Sequence, residues 1–418
     1  MKLSSKIRKR LVNIATLLIL YRPWRKKVRE VMRCIFVNRT MKCADLFYKY
    51  KQIPFNSQAM TILVLDEKIP TYDRDTGSRV IWQYLRFFKQ NQGLNVCYMS
   101  LSSFPKGKYM QSLQDMGINI ICGNHERWLR ENGKKIDYIF LCRPHVAEEF
   151  LPLLRKYTNV PIWYFAHDLH YIRELRYYEQ TGDKKARQRS KMYEKSENTI
   201  IEQTDVFLSI SSYEAEVIKR THPDKPNMVL PIYIWDEFPS VDYDANKRKD
   251  IMFVGSSHAP NANGLQWFLT SVFSEFLKRN PEAKFYVVGG NIPENIKRSA
   301  SQNVIFTGFI SDEAMSDLMS RIRLNVVPLR FGAGVKGKII ESVYQKLPVL
   351  TTPVGAEGIP DTPMITVAEP DTFATKLIEL YNDIAYLNKA DKDSEAFLKA
   401  NYSVDVMEKI FGKLKDIR

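Results

Sequence analysis

From residue 61 onward the chain repeats one pattern: a short apolar run, a turn, then an amphipathic stretch of helical period. Strands buried on both faces read as unbroken apolar runs, and helical stretches between them are the crossovers of a parallel sheet. The pattern occurs twice. The first series predicts strands at Thr61–Asp66, Asn95–Met99, Asn119–Cys122, Tyr138–Cys142, Ile162–Ala166 and Val206–Ile210, with helical stretches such as Ser78–Lys89, Val146–Lys156 and Tyr171–Glu202. A polar, turn-rich segment, Pro231 to Lys249, then leads to Ile251–Val254, Phe285–Val288, Val304–Thr307, Leu324–Pro328, Val349–Thr351 and Ile365–Val367. Helices are expected near Gly264–Lys278, Glu313–Ser320, Gly337–Tyr344, Thr372–Tyr381 and Ser394–Lys399. The expected division is a basic helical appendage over 1–58, an α/β domain over 59–235, a second over 236–400, and a C-terminal helix over 401–418 returning to the first domain.

The net charge of +15 suggests a nucleic-acid binder only until its distribution is read. Residues 1–51 carry fifteen Lys or Arg against Glu30 and Asp45, leaving 47 basic and 45 acidic groups in the other 367 residues. The enzyme-sized part is nearly neutral, which argues against nucleic acid as a partner. In the appendage, Ile7, Leu11, Ile14, Leu18, Tyr21, Val28, Met32 and Ile35 fall on one helical face, with Pro23 interrupting it. Its densest apolar run, Leu11 to Tyr21, falls short of the roughly 20 residues that span a bilayer. No small-residue cleavage site follows it, so a signal peptide is not indicated. The expectation is an interfacial anchor through residues 1–55 on an anionic leaflet, the protein lying in the cytoplasm at the inner face of the plasma membrane. The plainer alternative docks the apolar stripe on the first domain. Five scattered cysteines without paired spacing read as free thiols, not a disulfide framework or zinc site.

No G-x-G-x-x-G follows the first strand of either series and no G-x-x-x-x-G-K-[ST] occurs, which counts against nicotinamide, flavin and P-loop chemistry. The informative stretch is Pro328-Leu-Arg-Phe-Gly-Ala-Gly-Val-Lys-Gly-Lys-Ile-Ile-Glu341, continuing through Val354-Gly-Ala-Glu357-Gly. A strand ends at Pro328, and Gly332, Gly334 and Gly337 make a flexible turn before a helix that starts near Lys336. Exposed amides at that start, with Lys336 and Lys338 beside them, suit a diphosphate. Glu341 shares the face of Lys338, and its carboxylate can accept hydrogen bonds from vicinal hydroxyls such as those of a ribose. A glycine-rich turn with a surface Lys–Glu pair is the bland alternative.

This stretch resembles the donor-binding loop and helix of the glycosyl transferases group 1 family (glycosyltransferase family 4). The resemblance extends through Asp250-Ile-Met-Phe-Val-Gly-Ser-Ser-His-Ala-Pro-Asn261, Val287-Val-Gly-Gly and Val304-Ile-Phe-Thr-Gly308-Phe-Ile. Upstream, more weakly, it takes in Thr71-Tyr-Asp-Arg-Asp-Thr-Gly77 and Tyr164-Phe-Ala-His167-Asp168. It implies a GT-B fold, two doubly wound Rossmann-like domains facing a central cleft, and a nucleotide diphosphate-sugar as co-substrate, with no other cofactor and no metal. It also implies retention of anomeric configuration. By position, Glu341 would bind the ribose; Lys338, Lys336 and Arg330 would meet the diphosphate, with the Gly332, Gly334 and Val335 backbone toward the sugar. Gly308, Phe309 and Ile310 would hold the base. Gly77, His167 and Asp168 would lie near the transferring sugar, although a lone His after a strand is as often structural.

Two positions depart from the family's pattern. Ala333 stands where a glutamate contacting the donor sugar is usual, and Ser256-Ser-His-Ala-Pro-Asn replaces an Arg-and-Lys pair. Asp73-Arg-Asp75 mimics a metal-binding D-x-D, but Asp75 reads as a helix N-cap. His167 and His170 lack a nameable third metal ligand. The Arg173–Tyr193 stretch, with Arg176, Tyr177, Tyr178, Lys184 and Lys185, is expected as a long solvated helix, or alternatively as a face for an anionic lipid-linked acceptor. The activity expected is sugar transfer to a glycan or lipid-linked glycan of the cell envelope. A nucleotide-sugar epimerase and a non-catalytic scaffold are the rival classes.

Overall fold

The computed structural model describes residues 28, 32, 53–102, 107–122, 124–239 and 243–417. The expectations for the appendage lie almost wholly outside these residues. Among the described residues no helix is long and apolar enough to cross a membrane.

Two parallel sheets carry the chain. The first has seven strands in the order β3-β2-β1-β4-β5-β6-β7: β1 Thr61–Asp66, β2 Asn95–Ser100, β3 Asn119–Ile121, β4 Tyr138–Cys142, β5 Ile162–Phe165, β6 Val206–Ser209 and β7 Asn227–Val229. The second has six in the order β10-β9-β8-β11-β12-β13: β8 Lys249–Val254, β9 Phe285–Val288, β10 Val304–Gly308, β11 Ile322–Val327, β12 Val349–Thr351 and β13 Ile365–Val367. In each sheet the order reverses beside its first strand, the mark of a doubly wound Rossmann-like fold. The twelve expected strands are all present. The short edge strand β7 was not expected, because Asn227-Met-Val is three residues long and only half-buried at its start.

By contacts the chain divides into two compact units, Met1–Ile162 and Trp163–Arg418. In the first, every residue of β1 and β2 is buried, with Leu63 opposite Cys97 and Leu65 opposite Met99. Full burial of a strand requires cover on both faces, which explains the unbroken apolar runs. Asp75 caps the helix Thr76–Arg86 by accepting the Ser78 N–H at 2.8 Å, as expected. Asp73 accepts from Tyr109 and Lys108.

The second unit holds β5, but for its first residue Ile162, and β6 to β13. Its largest core cluster packs Phe253, Phe268, Phe273, Phe285, Leu324 and Val326 between the second sheet and its helices. A smaller one, Val327, Leu329, Ile339 and Val349, seats the helix Gly337–Tyr344 against β11 and β12. The stretch expected as one helix over Tyr171–Glu202 is two, His170–Thr181 and Lys184–Gln203. Gly182, at φ +73°, ends the first, and Asp183 caps the second by accepting from the Lys185 N–H. In the C-terminal helix Val404–Asp416, Phe411 meets Trp163 of β5 edge-on at 5.8 Å.

Candidate functional site

All the groups that assemble here belong to the second compact unit. β11 ends at Val327, the chain turns through Pro328–Lys336, and the helix Gly337–Tyr344 begins. Gly332 at φ +143° and Gly334 at φ +70° give the turn its path. Its three central carbonyls are occupied. Arg176 donates to Gly332 O at 2.8 Å, and the Lys336 ammonium donates to Ala333 O at 3.2 Å and also to Gly334 O. Its amides are not: from Gly332 to Lys336, no backbone N–H finds an acceptor among the described residues. A turn whose central oxygens are held and whose N–H groups remain available, running into a helix start, has the make-up of an anion-binding concavity.

Two cations sit at that concavity. Lys336 and Lys338 are half-buried as residues, but their ammonium ends turn inward. Lys338 donates to Asn261 Oδ1 at 2.7 Å and lies 4.8 Å from the centre of the Phe253 ring. Burial first, and then the neighbouring Lys336 charge, lowers the Lys338 pKa to about 7. Burial likewise brings Lys336 to about 8, with Glu357 pulling the other way. An arriving anion would therefore favour the charged form of both lysines.

Glu341, on the same helix, accepts from the Tyr233 hydroxyl at 2.7 Å. Arg176, expected on a solvated helix, instead forms a two-pronged ion pair with Glu357, at 2.8 Å to Oε1 and 2.7 Å to Oε2. Its neighbour Tyr177 packs on Phe331 at 5.3 Å between ring centres. These contacts overturn the solvated-helix expectation for Arg176 and Tyr177. Contacts 156 and 181 positions apart in sequence leave no trace in local spacing.

Asp168 follows β5 and lies against the turn: a Cβ added at Gly334 would stand 3.3 Å from Asp168 Cβ. It is held by Arg173 at 2.7 Å and by the His170 ring at 3.3 Å. Beneath them Glu214 is buried, accepting the N–H groups of Leu169 and Ile210, and burial together with the Asp168 charge pushes its pKa up to about 8. His167 adopts φ +70°, an uncommon backbone for a non-glycine residue, with its ring on Phe165 at 4.6 Å. His258, in the stretch that replaces the usual Arg and Lys, has its pKa lowered by burial and then by Arg173.

The remaining expected residues are more dispersed. Arg330 donates to Asn263 Oδ1 at 2.9 Å and lies near the Trp267 ring. Gly308 takes φ +70° at the end of β10, leaving Phe309 55% exposed, while Ile310 packs into the cluster around Met252 and Leu318. Of that trio, only Phe309 offers an exposed side chain. Gly77 lies in the first turn of the helix Thr76–Arg86, not in a free loop. Asn261, Tyr233, Arg176, Glu214 and Glu357 were not expected at the site. Only Glu357 and Asn261 carried a hint, each sitting in a stretch already notable for its motif.

Comparison with known proteins places the fold and part of the sequence. The fold matches sucrose-phosphate synthase from Thermosynechococcus elongatus with a TM-score of 0.61, at 15% identity over 85% of this chain and 98% of that one. It matches the Anabaena protein HepE, solved with UDP and glucose, at 0.60 and 12% identity over 85% and 100%. TarM, known from S. aureus, matches at 0.63 and 10% identity over 85% and 98%. The fold of this chain is therefore GT-B, the architecture of these glycosyltransferases. The segment 248–383, which contains the turn and both lysines, matches the model of the glycosyl transferases group 1 family. A 44.6 kDa protein of the capsule (cps) region of Klebsiella pneumoniae is 27% identical over 179 residues, 40% of this chain and 45% of that protein's length.

Proposed function

We propose that the chain transfers a sugar from a nucleotide diphosphate-sugar to a glycan or lipid-linked glycan acceptor in cell-envelope polysaccharide synthesis, with retention and without a metal. One observation carries the reading: the Gly332–Lys336 turn has its Gly332, Ala333 and Gly334 carbonyls tied and its amides available, with two inward lysines beside it. In transfer, the bond from the sugar's anomeric carbon to the diphosphate breaks with its electron pair going to phosphate. The acceptor oxygen bonds to that carbon on the same face, and the acceptor's proton leaves on the departing phosphate. Negative charge grows on the diphosphate, where fixed amides and Lys338 stabilise it most. Glu341, presented by Tyr233, takes the ribose hydroxyls, and Phe309 offers a face to the base. The UDP and glucose held by HepE and the capsule-region relative support this choice of donor and setting. The basic, amphipathic residues 1–55 then hold the enzyme at the inner face of the membrane, where a lipid-linked acceptor is found.

The test offers UDP-, GDP- and dTDP-sugars with and without a membrane extract and follows nucleotide release. Release that requires the extract is the expected result. Interconversion of the free nucleotide-sugar would make the chain an epimerase, and tight binding without release would make it a scaffold. For the membrane part, deleting residues 1–55 should abolish co-sedimentation with anionic vesicles; equal binding of both forms defeats that claim.

A further inference from the structure

We propose that Glu357 binds hydroxyls of the transferred sugar, supplying from the loop after β12 the carboxylate that Ala333 denies to the glycine turn. The inference rests on the donor reading above and names the group that reads the sugar itself.

Three observations place this carboxylate. First, one guanidinium nitrogen of Arg176 bonds both Gly332 O and Glu357 Oε1, each at 2.8 Å, so the carboxylate stands directly beside the glycine turn. Second, the backbone behind Glu357 is locked there. Gly358 adopts φ +74°, and a Cβ on it would come within 3.2 Å of Val335 Cγ2 and 2.4 Å of Ser211 Cβ, so no other residue fits that close approach. Third, Glu357 is the leading charge acting on Lys336, whose ammonium lies beneath the same turn.

Arg176 does not exhaust the carboxylate. A carboxylate has about four acceptor directions, and a two-pronged guanidinium takes one from each oxygen. The pair is only partly covered, Glu357 keeping 17% of its side chain exposed and Arg176 keeping 21%. An anionic acceptor held rigid by an arginine, next to a row of available amides, complements a ligand segment bearing hydroxyls just beyond a diphosphate. Hydroxyls donate to the carboxylate while the phosphate oxygens accept from the amides. A purely structural Arg–Glu pair would meet the first and third observations, and the experiment separates the two roles.

The full-length protein and Glu357→Gln are titrated calorimetrically with UDP, GDP and dTDP and with the glucose conjugate of each. Melting temperatures are taken alongside. Glutamine keeps the size and one acceptor oxygen but loses the charge. The expected result is a sugar nucleotide bound about tenfold more weakly by the variant, the loss of one charge-assisted hydrogen bond. The parent diphosphate should stay within about twofold of wild type, because it lacks the hydroxyls concerned. Equal weakening of both ligands with a lowered melting temperature overturns the proposal, since Glu357 then only holds Arg176. Unchanged binding of both overturns it too, and leaves the donor reading standing. A wild-type protein that binds none of the diphosphates removes the donor reading and the proposal together.

Discussion

The Tyr233 hydroxyl donates to Glu341 Oε1 at 2.7 Å, so the crossover segment between the two sheets grips the helix that follows the glycine turn. The grip is reinforced one residue pair away. Trp235 lies flat between Tyr233 and Tyr344, with ring centres at 4.9 and 4.2 Å, and its N–H bonds Tyr402 O at 2.9 Å. Tyr233→Phe keeps the ring stack and removes only the hydroxyl. Its expected effect is a donor KM raised roughly tenfold, the worth of one hydrogen bond to a charged group, with kcat little changed. Glu341→Ala should raise KM further. An unchanged donor KM in Tyr233→Phe would show that the hydroxyl does not set the carboxylate.

Lys338 offers a sharper separation of stability from function. Its ammonium is desolvated, and a buried charge costs folding free energy that an apolar side chain of similar length does not. Lys338→Met should therefore melt within about 2 °C of wild type, the loss of the Asn261 contact offsetting the relief. Binding of nucleoside diphosphate should fall about 10- to 100-fold. A large drop in melting temperature with intact binding would place the lysine among structural groups.

The same two lysines predict a pH signature. Their pKa values of about 8 for Lys336 and about 7 for Lys338 lie below the ordinary lysine value of 10.5. Between those values and 10.5 the unfolded chain binds more protons than the folded one, so their contribution to ligand-free stability rises with pH through that window. Diphosphate binding runs the opposite way, because it favours the charged amines. Affinity should decline from about pH 7 to 9, and binding near pH 8 should take up protons. Calorimetry in two buffers of different ionisation enthalpy measures that uptake directly; a buffer-independent enthalpy would refute it.

Much of this was legible from residue order, and the part that was not has a common cause. Strands such as β1, β4 and β12 coincide with their apolar runs because a strand covered on both faces is filled mainly by apolar side chains, the buried Asp66 and Thr351 standing at strand ends. The turn at Gly332–Lys336 and its helix were readable because strand end, glycines and helix start are contiguous. Arg176 was not, because its partners Gly332 and Glu357 lie 156 and 181 positions away in sequence, beyond the reach of any local pattern. The inward turn of the two lysines was hidden for the same reason. A sequence shows that Lys336 and Lys338 flank a turn, but it does not show that the carbonyls of that turn draw Lys336 beneath it.

Gly334 lets the cost of a backbone shape be told apart from the cost of disturbing the site. Its φ of +70° lies in the left-handed region, where an added Cβ costs roughly 1–2 kcal/mol. A Cβ there would also meet Ile210 Cδ1 at 3.0 Å and Asp168 Cβ at 3.3 Å, and Asp168 is held in place by Arg173. Gly182, at φ +73°, shares the backbone region but has nothing within 4 Å of its would-be Cβ. Gly182→Ala should therefore lose only the conformational share, a melting temperature a few degrees lower, with donor KM and turnover unchanged. Gly334→Ala should lose at least as much stability. It should also reduce turnover by about 100-fold, the scale expected when reacting groups move by about an ångström. If the two alanine variants proved equally active, the turn at Gly334 would hold no ligand.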